Sequence, residues 1–399
     1  MKKILMIVLV VAMIFSTAFT ADTSTNGITD DSVTIGSFQA LSGALAFIGV
    51  SMDKGMQAYF NWVNENGGVW GRKVNLITVD DQFVPSKTVI EVKRLVEQDK
   101  VFAIVGGLGT PGCLAVMDYL NGGGVPFVYQ GSGSSLLAIP PKEYIFSVQP
   151  NYSIEAPIVG KYLTEVANKK KIGMIYRAAE DGKEAYSALS AYLKENGREN
   201  LLVQAIAVDP AQTSFDNEII KMMQSGVDAV YLLTFTDQTP NILKQSRDYG
   251  FEPLFVTCYP NAEPKLIQLA EGAAEGLEVM AWVDLGDPES EKFIQYLEIF
   301  QASYPDEIPD AYAAAGFIAA ELFTQGLWRA GAGENLTRES LVKGLESLKG
   351  WQGIISPIIT YYKYDPDNEK ARLGLNAMYI LRVEGDQMIK AIDWVKMGE

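Results

Sequence analysis

The strongest constraint on this chain is an alternation of short apolar runs with amphipathic runs, and the alternation occurs twice. In the first series VTIGSF (33–38), KVNLITVDD (73–81), VFAIVG (101–106) and VPFVYQ (125–130) are rich in β-branched and aromatic residues. Such nearly continuous apolarity is the mark of parallel strands buried on both faces. Between them, Met56, Tyr59, Phe60 and Val63 recur at helical spacing, and so do Val89, Val92, Leu95 and Val96 after Pro85-Ser86. The series restarts with KKIGMIY (170–176), LLVQAIAV (201–208), DAVYLLTF (228–235) and EPLFVTCY (252–259), separated by helical runs near 183–196, 214–225 and 239–249. Two successive βα series predict an α/β protein of two doubly wound lobes. A further strand, GLEVMAWVD (276–284), is followed by helices to about residue 348 and two late strands, PIITYYKYD and NAMYILRVE. These pieces return to the lobes, so the chain crosses three times, near 147–151, 281–285 and 356–360. No Pro/Gly/Ser tract separates the lobes, which favours a three-segment hinge over a tether. The boundaries expected are 28–148 with 283–356 for the first lobe and 149–282 with 357–399 for the second.

The N-terminus, MKKILMIVLVVAMIFSTAFTA, places two lysines before a short apolar run and small residues. That order reads as a secretory signal peptide over 1–21, cleaved after Ala18 or Ala21 and too short to span a bilayer. No cysteine sits at the junction to carry a lipid, and no later stretch suits a membrane helix. The expected product is exported and without a membrane anchor. A formal charge of −16 removes nucleic acid from the list of partners, because phosphate binding needs a basic face. The chain has no histidine, which excludes histidine general bases, histidine metal ligands and Ser-His or Cys-His nucleophiles. Cys113 and Cys258 lie far apart in sequence and read as two buried free thiols, although export would permit a disulfide.

AIVGGLGTPGCLAV (103–116) carries Gly107, Gly109 and Gly112 in the spacing G-x-G-x-x-G. A dinucleotide site would want an acidic residue closing the next strand, and that strand runs instead into QGSGSS; Gly-Lys-Ser/Thr is missing too. No cofactor is expected. What remains is a strand-to-helix turn with Thr110 as helix cap and Pro111 as first helical residue, opened to close approach by Gly109. Helix N–H groups and the Thr110 hydroxyl there favour an anion. The QGSGSS turn adds donors at the end of the neighbouring strand. Together the two turns read as a carboxylate seat.

SGALAFIGVSMDKGMQAYFNWVNENGGVWGRKVNLITVDDQFVPSKTVIEVKRLVEQDKVFAIVGG resembles the first lobe of the leucine/isoleucine/valine-type periplasmic binding proteins, the solute receptors of branched-chain amino acid ABC transporters. The Ser42-Gly43 turn, NENGGVWGRKV, VDDQ before Pro85 and LVEQDKVFAIVGG carry the match, and GAAEGLEV (272–279) continues it. The resemblance implies a periplasmic-binding-protein-like type I fold that traps a small ligand as two lobes close. By its motifs Thr110, preceded by Gly109, holds the ligand carboxylate. Gly131, Ser132 and Gly133 supply further donors, with Ser134 standing in where Gly133 lacks the usual hydroxyl. Phe47 and Ile48 give an apolar wall. On the second lobe Asp181 stands where many relatives carry tyrosine, and Phe235 and Thr236 match the next contact loop. Tyr259 stands where leucine-type receptors place the glutamate that pairs with the ligand ammonium. Either Asp181 or Asp237 replaces that acid, or the ligand has no amine.

The resemblance therefore implies a monomeric periplasmic receptor, not an enzyme, that delivers an amino acid or a small apolar or aromatic carboxylate to permease subunits. Two alternatives stay open: an exported sensing domain of the same fold, and a hydrolase that works without histidine.

Overall fold

The computed structural model describes residues 24–283, 290–331, 336–375 and 377–396. The signal-peptide reading (1–21) lies outside these, as do residues 284 and 285 of the second expected crossing. The first series folds as β1 (Ser32–Gln39), α1 (Ala46–Glu65), β2 (Lys73–Asp80), α2 (Pro85–Glu97), β3 (Ile104–Leu108), α3 (Thr110–Gly122), β4 (Phe127–Gly131) and β5 (Ile145–Phe146). The second comprises α4 (Tyr152–Lys161), β6 (Ile172–Arg177), α5 (Glu180–Glu195), β7 (Leu202–Val208), α6 (Asp216–Ser225), β8 (Ala229–Leu233), α7 (Thr239–Asp248), β9 (Leu254–Thr257), α8 (Pro264–Ala270) and β10 (Glu278–Ala281). Then come α9 (Glu291–Ser303), α10 (Ala311–Ala330), α11 (Arg338–Glu346), β11 (Ala377–Glu384) and β12 (Gln387–Lys396). Each of the eight strands read from apolar runs in the two series is present.

The strands form two sheets, ordered β2-β1-β3-β4-β5 and β12-β11-β10-β9-β8-β6-β7. The first is parallel throughout, and the second is parallel from β7 to β10 with β11 and β12 added antiparallel. Starting from β1 or from β6, the parallel order is the same: second strand, first, third, fourth, fifth. In such sheets ligands bind beyond the carboxyl ends of the strands where the order reverses. That point falls between β1 and β3 in one lobe and between β6 and β8 in the other.

One late strand differs from expectation. PIITYYKYD makes only isolated bridges, Trp351 to Ile359 and Thr360 to Gly374. Side chains hold it in place of a ladder: Tyr361 is buried and its hydroxyl donates to the carbonyl of Ser147 at 2.7 Å. The chain thus passes from sheet to sheet after β5, after β10, and between α11 and β11. The first and last of these segments touch, with Ser147 N–H donating to the Arg372 carbonyl at 3.1 Å. Helices α9 and α10 pack on α1 and α11 packs on α10, so they cover the first sheet.

Candidate functional site

Helix α3 starts one residue earlier than its sequence suggests. Gly109, with φ of 96°, takes the non-helical cap position; Thr110 is the first helical residue and Pro111 the second. The Thr110 hydroxyl makes no cap bond and meets Ser132 Oγ at 2.8 Å. Both side chains are buried, at 5% and 7% exposure. Gly109 N–H is not open to a ligand as expected, because it donates to the Gly131 carbonyl at 2.9 Å. The donors of this corner are the hydroxyl pair, one of whose hydrogens joins the two oxygens, and the N–H groups of Thr110 and Gly112; Pro111 has no N–H and Cys113 N–H donates to the Gly109 carbonyl at 2.9 Å. The three glycines answer to packing. A Cβ on Gly107 would strike the Phe38 ring, on Gly109 the Phe83 ring, and on Gly112 the Thr88 hydroxyl. The spacing marks close approach of side chains, not a phosphate cradle.

The turn after β4 is tied across the cleft. Ser134 Oγ donates to Glu184 Oε2 at 3.1 Å and Ser135 N–H to Glu184 Oε1 at 2.8 Å. Glu184 lies on α5 of the second lobe and also accepts the Ser153 N–H at 3.2 Å. Burial pushes its carboxyl up against the pull of these donors. Ser134, expected to face ligand, spends its hydroxyl on this tie. Gly133 leaves space that Tyr259 uses: a Cβ there would lie 2.6 Å from Tyr259 Oη and 2.8 Å from the Tyr152 ring. Tyr152 and Tyr259 stack with centroids 5.9 Å apart. The two departures from the leucine-type pattern, at 133 and 259, are one steric exchange.

The rim of the second lobe is ionic. Arg177 ends β6, and its guanidinium is 3.3 Å from Asp181 through Nε and 3.7 Å from Asp237 through Nη1. Arg177 is only 6% exposed, lies 4.5 Å over the Phe235 ring, and makes no hydrogen bond through Nε or Nη1. Burial raises both carboxyls, and the Arg177 charge opposes this at each. Asp181 and Asp237 are therefore shared by an arginine. Thr236 Oγ1 donates to Asn261 Oδ1 at 3.0 Å.

Tyr259 Oη donates to Gln149 Oε1 at 3.1 Å, and Gln149 Nε2 to Tyr129 Oη at 2.8 Å. Beneath, Glu155 accepts from Tyr231 Oη at 2.6 Å and Tyr259 N–H at 3.3 Å. Complete burial pushes Glu155 up to about 7, against both donors. Of the expected wall, Phe47 meets Tyr312 edge-on at 6.4 Å between centroids, while Ile48 is buried in the hydrophobic core.

The structure thus gathers Gly109, Thr110, Gly131 and Ser132 at one corner. It joins Gly133 and Ser134 to the second lobe and groups Asp181 with Phe235 around an arginine. Sequence reasoning passed over Phe83, Gln149, Arg177 and Glu184. Arg177 sits one residue beyond the strand read as KKIGMIY, four residues before Asp181; a lone cation so placed in an acidic chain was the available signal. Nothing local marks Gln149 or Glu184, whose partners are distant in sequence.

Residues 32–387 match the periplasmic binding protein family. An amino acid binding protein of Pseudomonas aeruginosa is 24% identical over 234 residues, which cover 59% of this chain and 62% of that protein. The Leu/Ile/Val-binding protein homolog 8 of Brucella suis is 22% identical over 350 residues, covering 84% of this chain and 83% of the relative. Among solved structures, the fatty acid ABC transporter substrate-binding protein of Thermomonospora curvata superposes with a TM-score of 0.80 at 20% identity, covering 94% of this chain and 95% of its own. At that identity the likeness speaks for the fold. With nearly the whole chain from β1 to the start of β12 inside the match, this protein belongs to the periplasmic binding protein family.

Proposed function

We propose that this protein is the extracytoplasmic solute receptor of an ABC importer, binding a small carboxylate between its lobes and presenting the closed form to permease subunits. The receptor role follows the family, which is one of solute-binding proteins rather than enzymes. Relatives of the same build are named for leucine, isoleucine and valine and for fatty acids, so a carboxylate is their shared chemistry. One observation carries the ligand class: two buried hydroxyls, Thr110 and Ser132, 2.8 Å apart beside the start of α3. Two such donors and a helix N-terminus suit the two oxygens of a carboxylate.

Closure hides the ligand and creates the surface a permease reads. The Glu184 tie from α5 to the seat loop belongs to that closed form. Lobe boundaries at 148/149, 282/283 and 356/357, export by the leader and a monomeric state are parts of this reading. No helix among the described residues is long and apolar enough to cross a membrane. A thermal-shift screen of amino acids, aromatic acids and short-chain acids tests it. Stabilisation by carboxylates, abolished when the same compounds are offered as amides, is the expected result. Equal stabilisation by acids and amides refutes it.

A further inference from the structure

A cavity of about 420 Å³ opens where the lobes meet, beside Tyr259. Its walls come from α8, β10 and β11 of the second lobe, from the start of α10 on the first, and from the crossings at Gln149 and Val283. Four rings line it: Tyr259, Trp282, Tyr312 and Tyr379. All three phenols are spent elsewhere, Tyr259 on Gln149, Tyr312 on the Pro260 carbonyl and Tyr379 on the Val283 carbonyl. The tyrosines therefore offer the cavity ring surface rather than free hydroxyl donors, although Lys390 Nζ already lies 5.1 Å from the centre of the Tyr379 ring.

The charged lining is acidic. Glu263, Asp310 and Asp386 contribute to it, and among the described residues no lysine or arginine does. Glu263 is 2% exposed, and its Oε2 caps α8 by accepting the Lys265 N–H at 2.9 Å. Its Oε1 has no hydrogen-bond partner. An unpaired buried carboxylate oxygen is costly and is expected to have a counterpart. Burial, with a smaller push from the Asp310 charge, raises Glu263 to about 7 against the Lys265 N–H and the Lys265 charge.

A metal ion fits poorly. No group of three or more His, Cys, Asp or Glu able to hold one occurs among the described residues, and hard cations want six or more oxygens. Aromatic rings around one carboxylate suit a weakly hydrated organic cation. We infer that this cavity is a binding compartment for an alkylammonium or quaternary ammonium group, with Glu263 as its counter-ion and Tyr259, Trp282, Tyr312 and Tyr379 as its walls. The inference deepens the receptor reading and rests on it for lobe closure, since both lobes line the cavity. It also locates the acid that Asp181 and Asp237, held by Arg177, do not provide.

The test is calorimetric titration of the full protein with choline, its neutral carbon isostere dimethylbutanol, hexanoate and aminohexanoate. Choline should bind at least about thirtyfold more tightly than dimethylbutanol, the ratio given by about 2 kcal/mol for a desolvated cation–π contact. Glu263→Gln, which retains an oxygen to cap α8, should erase that preference and leave hexanoate unchanged. Tyr312→Leu should weaken choline while Tyr312→Phe should not. Thr110→Ala should weaken hexanoate and spare choline; if it leaves hexanoate intact, the carboxylate seat fails and the cation compartment stands. Aminohexanoate binding more tightly than both hexanoate and choline identifies the cation as one end of a zwitterion, and otherwise it is a free amine. Choline binding no better than its isostere, or undiminished in Glu263→Gln, overturns the inference.

Discussion

In the first lobe the loops beyond β1 to β4 meet the cleft with hydroxyls, while in the second the loops beyond β6 and β8 meet it with charges. Acids exist on the first rim too, but its own loops consume them. Asp80 accepts from Leu41 N–H, Ser42 Oγ and Gln82 N–H, and Asp81 from Phe83 N–H and Thr88 Oγ1. These bonds shape the rim and leave the Thr110 and Ser132 hydroxyls as the groups proposed to bind ligand. On the second rim Arg177 stands between two carboxylates with distances beyond good hydrogen bonds. The same strand order therefore carries a neutral hydroxyl pair on one side and an ionic patch on the other. Fold places the loops; the chemistry of each rim depends on which acids find backbone donors.

The largest way to break this contrast is at Arg177. Arg177→Met should destabilise the protein by about 3–5 kcal/mol, because the buried Asp181 and the half-buried Asp237 lose the cation they share. Adding Asp181→Asn and Asp237→Asn should restore most of that stability in urea unfolding. Recovery with neither addition needed would show the patch to be solvated rather than buried.

Thr110→Ala should weaken carboxylate binding by about 1.5–3 kcal/mol, the worth of a hydrogen bond to a charged group, with little change in melting temperature. A matching loss on Asp181→Asn would mean that the ionic rim, not the hydroxyl seat, holds the ligand.

An effect that is smaller per pH unit comes from the buried acids. Glu155, beneath Tyr259 and facing Tyr231, titrates near 7 when folded and near the ordinary 4.5 when unfolded. The native state then binds the extra proton, so stability rises as pH falls from above 7 towards 4.5, by up to about 1.4 kcal/mol per pH unit. Glu263 and Glu321, each pushed to about 7 by burial, act in the same direction. Glu155→Gln should flatten the curve of stability against pH measured by urea unfolding, and an unchanged slope would place the proton elsewhere. Smallest of all, Cys113 and Cys258 are free and buried. A thiol reagent should label neither before unfolding, and reductant should leave the melting temperature where it was.

Much of the fold was legible because parallel strands buried on both faces must be apolar throughout. VTIGSF, VFAIVG and DAVYLLTF could hardly be anything else. PIITYYKYD misled for a related reason: Tyr361 is apolar in the pattern but is held by its hydroxyl against the first crossing. That Thr110 and Ser132 meet was readable, because two short turns at neighbouring strand ends bring them together. The role of Ser134 was not, because its partner Glu184 arrives from the other lobe.

The amino-acid order by itself determined the two βα series, the absence of histidine chemistry and the turn that carries Thr110, since these depend on periodicity, composition and neighbours a few residues apart. Only the tertiary structure decided that Gly133 makes room for Tyr259, that Asp181 belongs to Arg177, and that Glu263 keeps one buried oxygen without a hydrogen-bond partner. Each of those depends on desolvation and on contacts between distant segments, and burial exists only once the chain has folded.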